Sequence, residues 1–159
     1  MGRDFVFILC YGLLYVAVSL LLARRQCPWA VYLACVAGVC GVGAALFDVH
    51  ENLAILNILD TLDLNHPIDQ QIINAIHAAA FLKWALSFVT AALLAVTFYG
   101  LDDWLSLIGY ALTLTAVIGL AGLLYPTIIS WTFLPMTVGL ILLSILAVFR
   151  PQRFILEYC

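Results

Sequence analysis

No charged residue occurs from Phe5 to Ala23, and none from Trp104 to Phe149. Wound as a helix, the first of these runs rises about 28 Å, which matches the hydrocarbon thickness of a bilayer. Lipid offers no water to bond a bare backbone, so runs of this kind must satisfy their own amides as helices. Composition points the same way. The 159 residues are 66% hydrophobic and 9% charged, with a mean hydropathy of +1.15, too little polar surface to cover a water-soluble domain of this size. Nine acids against six bases give a net charge of -3, and no basic surface exists to hold nucleic acid.

The expected fold is all-α, a polytopic integral membrane helical bundle with about five transmembrane helices over 5–23, 28–59, 68–99, 104–125 and 127–149. The first run is too long for a cleaved signal and has no small-residue cleavage site, so it is read as a span. Pro28 suits the opening turn of the second. Asp48-Val-His-Glu-Asn52 interrupts the apolar pattern, but Leu53 to Leu59 resumes it without glycine or proline. Nothing there stops a helix, and a single one over 28–59 would measure roughly 48 Å, which calls for tilt or for extension beyond the lipid. In the loop that follows, Pro67 is placed to open the third helix and Asp69 to sit in its first turn. That helix carries His77 and the chain's one lysine, Lys83. Gly100-Leu-Asp-Asp103 reads as a tight connection, and the last apolar stretch divides near Tyr125-Pro126. With no linker, repeat or low-complexity tract, residues 1–159 read as one integral membrane domain without a soluble part.

Cytoplasmic loops carry the excess of arginine and lysine. An odd number of passes puts the termini on opposite sides. An outside N-terminus places Arg24, Arg25, Arg150 and Arg153 in the cytoplasm and leaves Arg3 outside, so the expected orientation is N-terminus outside and C-terminus cytoplasmic. Trp29, Trp104, Tyr99, Tyr110 and Tyr125 near span ends read as interface anchors.

The chemistry concentrates on the second and third helices. On a helical wheel Ala34, Gly38, Gly41, Ala45, Asp48, Asn52 and Ile55 fall within about 40° of one another, a stripe of small residues that turns polar at one end. Small residues admit a neighbouring helix, so Asp48 and Asn52 should face protein, with Glu51 flanking them and His50 pointing elsewhere. In the third helix Ile76, Lys83, Ser87, Thr90, Leu94 and Thr97 share a face. Two antiparallel helices joined by a loop near position 64 set Asp48 level with about residue 81 and Glu51 with about residue 78. Lys83 and His77 bracket those levels. A lone lysine or aspartate at mid-membrane costs roughly 2.5 to 3.5 kcal/mol on the insertion scale, which favours an intramembrane ion pair between Lys83 and Asp48 or Glu51. Asp48, Glu51, Asn52, His77 and Lys83 are therefore the expected intramembrane polar cluster.

Weaker candidates surround it. His50 adjoins Glu51 in sequence but lies about 100° from it on the helix, a poor pair of ligands. Asp60, Asp63 and His66, with Asp69, could hold a divalent ion, yet a solvated turn with a helix cap explains them more simply. No metal site and no catalytic residue is assigned, because no metal-ligand spacing and no nucleophile motif occurs. Cys10, Cys35 and Cys40 are expected as core thiols, and Cys27 and Cys159 as residues near span ends. Gly109, Tyr110, Thr113, Ala116, Gly119 and Gly122 read as a packing face on the fourth helix.

These features describe a small multi-pass protein in a lipid bilayer. The leading expectation is a non-enzymatic subunit or scaffold packing against other membrane chains or copies of itself. A homo-oligomeric proton or cation transporter or channel using the polar cluster is the first alternative. An intramembrane lipid-modifying enzyme, with His50, His77 and the carboxylates as acid and base, is the second. The sequence identifies no cofactor.

Overall fold

The computed structural model describes residues 2–23, 28–61, 69–99 and 105–149. They form five α-helices: α1 Gly2–Leu22, α2 Pro28–Thr61, α3 Gln70–Phe98, α4 Leu105–Leu124 and α5 Phe133–Phe149, with a 3-10 segment Pro126–Thr132 ahead of α5. All five, the last counted from Ser130 with the 3-10 residues ahead of it, are long and apolar enough to cross a membrane. Large apolar side chains such as Val6, Leu13, Leu20, Val39, Leu46 and Val117 point outward, as they do when acyl tails replace water around a bundle. The arginines that bear on orientation, together with Cys27, Asp63, His66, Trp104 and Cys159, lie outside the described residues or have no described side chain.

α2 runs unbroken through Asp48–Asn52 for 34 residues, about 51 Å. α3 starts at Gln70, two residues later than expected, and the helix cap expected among the loop acids falls to Asp69 instead of a place in the first turn. Asp69 is its N-cap, with extended backbone and a carboxylate that accepts the Gln71 amide at 2.9 Å. Capping a free amide is a better use of a short acid than a place inside the first turn, where only the helix dipole would favour it. The fifth helix also departs from the expected 127–149. Pro135 has no amide hydrogen, and in a continuous α-helix its ring would strike the carbonyl of Trp131. The chain therefore takes the tighter 3-10 winding up to Thr132, and α5 opens at Phe133 with Pro135 tolerated in its first turn.

The helices close a ring in chain order, α1 on α2, α2 on α3, α3 on α4, α4 on α5, and a thin contact of α5 on α1. Successive helices run antiparallel, so α1 and α5 run parallel across that last seam. The shared core lies toward one end of the ring: Val18 and Leu22 of α1, Ala34 and Ala37 of α2, Leu94 and Phe98 of α3, Ile108 and Leu112 of α4, Leu143 and Leu146 of α5. The polar residues of α2 and α3 lie toward the other.

The small-residue stripe of α2 is occupied by α1. A methyl group added at Gly41 would sit 2.8 Å from Cβ of Tyr15, so only glycine allows α1 to come that near, and Gly38 faces Ser19 in the same groove. On the adjoining face of α2, the Thr90 hydroxyl of α3 donates to the Leu86 carbonyl at 2.8 Å and reaches that of Ala37 at 3.4 Å. The α4 face is filled as well. Gly119 lies under the Phe88 ring, and Gly109 faces Phe98. Tyr99, hydrogen-bonded to Thr113 at 2.7 Å and edge-on to Tyr110, joins the two helices at their turn.

The cysteines correct an expectation. Cys10 and Cys35 are exposed and Cys40 is half-buried, whereas core positions were expected. Helices apolar on all sides give a thiol no reason to turn inward, and the inward positions go to Tyr15, Val18, Ala34 and Ala37.

Candidate functional site: a two-acid, one-lysine cluster

Three helices meet at Asp48. α2 presents it one turn from Glu51, and α3, packed antiparallel alongside, presents Lys83. The lysine Nζ donates to Oδ1 of Asp48 at 3.2 Å and to Oε2 of Glu51 at 2.5 Å. All three side chains are about one-sixth exposed, at 15%, 16% and 17% for Lys83, Asp48 and Glu51. α1, seated in the glycine groove, brings a fourth member. The Tyr11 hydroxyl donates to Oδ2 of Asp48 at 2.8 Å.

Aromatic rings frame these groups. The Lys83 ammonium lies 5.4 Å from the centroid of the Trp84 ring, within range of a cation–π attraction. Trp84 in turn stacks on Phe88. On α1, Phe7, Tyr11 and Tyr15 follow one another with ring centroids 5.4 and 5.9 Å apart. Ser87 donates to the Lys83 carbonyl at 2.9 Å, so its hydroxyl answers the helix backbone. A cavity of about 230 Å³ opens beside the cluster, with Tyr11, Asp48 and Lys83 on its polar side and Met136 and Leu140 of α5 opposite.

Of the five residues expected to form the cluster, Asp48, Glu51 and Lys83 come together. Asn52 is half-buried next to them with no hydrogen bond to the three, and His77 lies exposed on another face of α3. The separation of His77 is a matter of angle, since six residues turn an α-helix through about 240° beyond Lys83's direction. His50 is exposed on the side of α2 away from Asp48, and Asp60 is exposed in the last turn of α2. Among the described residues no three His, Cys, Asp or Glu side chains converge.

Tyr11 and Trp84 were not singled out from the sequence. For Tyr11 a signal existed: tyrosines at 11 and 15, one helical turn apart beside Gly12, mark one face of an otherwise aliphatic span. For Trp84, adjacency to the lysine was the cue.

The charges do not cancel. Two carboxylates face one ammonium, and among the described residues neither acid has a second cationic partner. A neutral phenol stabilises Asp48 by a hydrogen bond without removing its charge. In a low-dielectric setting an uncompensated charge is costly. Comparison with protein-family models, with curated proteins and with solved structures gives no match.

Proposed function

We propose that this chain is a non-enzymatic membrane protein that binds and passes a proton or small cation at the Asp48–Glu51–Lys83 cluster. The observation that carries this reading is the excess acid. A lock between two helices needs one carboxylate per lysine, whereas this lysine faces two, beside a cavity. Ionisable groups within a membrane are expensive to keep and are the natural place to look for ion handling. In this reading the bundle crosses the bilayer five times, with the N-terminus outside on the arginine count, and the cavity is where the extra cation rests.

The test is ion uptake into proteoliposomes containing the purified full-length chain. Uptake that disappears in Glu51→Gln and Lys83→Met, while both variants elute as the native species, supports the reading. Equal uptake in liposomes with and without protein overturns it.

A scaffold or subunit role is the second reading, favoured by the same contacts in another light: Lys83 and Tyr11 tie three helices together at one point, as a rigid packing element requires. The small-residue faces lend it no support, because this chain's own side chains fill them. Native mass after gentle extraction separates the two. Stoichiometric foreign chains favour the subunit, and the chain alone or in copies of itself favours the ion site.

A further inference from the structure

The seam between α1 and α5 is the thinnest contact in the ring, and an apolar groove of about 530 Å³ runs along it. Its walls are Leu14, Ala17 and Leu21 on one side and Ala147 and Val148 on the other. Phe7, Tyr11 and Leu140 border both this groove and the cavity beside Asp48. From Phe7 to Leu21 the groove follows α1 for about 21 Å, the reach of a long alkyl chain. Of the hydroxyls that border it, Ser144 is spent on the Leu140 carbonyl at 2.7 Å and Tyr11 on Asp48. A tail site thus adjoins a head site lined by Asp48 and Lys83, and Glu51 behind the lysine leaves the cluster with one acid in excess.

We propose that the occupant is a single-chain amphiphile with a protonated amine head, its alkyl chain in the α1–α5 groove and its ammonium in the adjoining cavity against Asp48 and the Tyr11 hydroxyl. The inference rests on the reading of the cluster as an acceptor of one more positive charge, and puts an organic ammonium where that reading puts a proton or small cation. Charge decides among amphiphiles. A fatty acid would set a third carboxylate against the two present, with the lysine already engaged by both, and a fatty alcohol would leave the excess charge standing. A second groove, of about 450 Å³ between α1 and α2, lies along Leu9, Leu13, Val42 and Leu46. None of its lining residues is ionisable, and it serves as the internal comparison.

The experiment uses the full chain in nanodiscs and a hexadecylamine analogue with a photoreactive diazirine in mid-chain and an alkyne tag. After irradiation, labelled peptides are mapped by mass spectrometry with hexadecylamine, hexadecanoic acid or butylamine as competitor. Labels concentrated at 14–21 and 140–148, displaced by hexadecylamine at a concentration about tenfold lower than by either other competitor, are the expected result. Glu51→Gln should weaken labelling about tenfold. Ala17→Trp, which fills the groove and leaves the cluster untouched, should abolish it even in a protein that elutes normally. Labels spread evenly over the outer faces, including the α1–α2 groove, or equal displacement by the fatty acid, overturn the proposal. So does unaltered labelling in both variants. Absent labelling with ion uptake retained defeats the amine alone. Labelling that depends on Glu51, in a chain that moves no ions, defeats transport and leaves the amine site standing.

Discussion

The Tyr11 hydroxyl donates to Oδ2 of Asp48 at 2.8 Å, and Lys83 engages the other oxygen of the same carboxylate. One side chain of α2 is thereby fastened to both neighbouring helices. Tyr11→Phe keeps the ring contacts with Phe7 and Tyr15 and removes only the donor. Loss of a hydrogen bond to a charged group costs about 1.5 to 3 kcal/mol. Thermal unfolding in detergent should show a clear decrease, and ion uptake by Tyr11→Phe proteoliposomes should change with it.

Lys83→Met should be the most damaging single change at the site. It leaves Asp48 and Glu51 about 3 Å from where their counter-charge was; breaking a fully buried pair from one side costs about 3 to 5 kcal/mol, and this half-buried group should lose a part of that. The triple variant Lys83→Met, Asp48→Asn, Glu51→Gln removes all three charges together and should regain most of that loss. Denaturation curves of the two variants check it. A triple variant as unstable as the single would mean that packing rather than charge holds the region.

Gly119 allows α4 to lie directly beneath the Phe88 ring. Gly119→Ala forces the ring or the helix to shift, and overpacking of this kind costs about 1 to 3 kcal/mol. Adding Phe88→Leu to Gly119→Ala should recover part of it, because a smaller side chain frees the space the new methyl needs. A double-mutant cycle measured by thermal unfolding reads the coupling directly.

Ser19 gives a prediction of the opposite sign. Its hydroxyl is buried against Gly38 with no hydrogen-bond partner. Ser19→Ala removes an unsatisfied polar atom and leaves the groove intact, so stability should hold or rise by about 1 kcal/mol. A fall would reveal a partner for that hydroxyl.

The exposed histidines should be silent in stability. His50 and His77 face outward, and substitutions at such positions stay within about 0.5 kcal/mol. His50→Ala and His77→Ala should therefore unfold with the parent, and their proteoliposomes should take up ions at the parent's rate.

How much of this was legible in the sequence follows from which interactions are local. The continuity of α2 through Asp48 could be read because no glycine or proline stands between Val49 and Leu59. The depth of Lys83 against the two acids followed from one short antiparallel connection. Angle was the weaker coordinate: His77 matched in depth but not in direction. Tyr11 escaped because the seat of α1 depends on packing between α1 and α2. The stripe from Ala34 to Ala45 announced that some helix would lie there, yet periodicity has no means of naming which. For α5 the two prolines at 126 and 135 were present to be read, but apolar content outweighed them.

The wall of the cavity facing Asp48 comes from Met136 and Leu140, on a helix synthesised after every residue of the cluster. Until α5 is made, Asp48 and Lys83 have only the α1 side of that cavity for cover. A chain cut short before Phe133 would keep every charge of the cluster and lose the wall that faces Asp48.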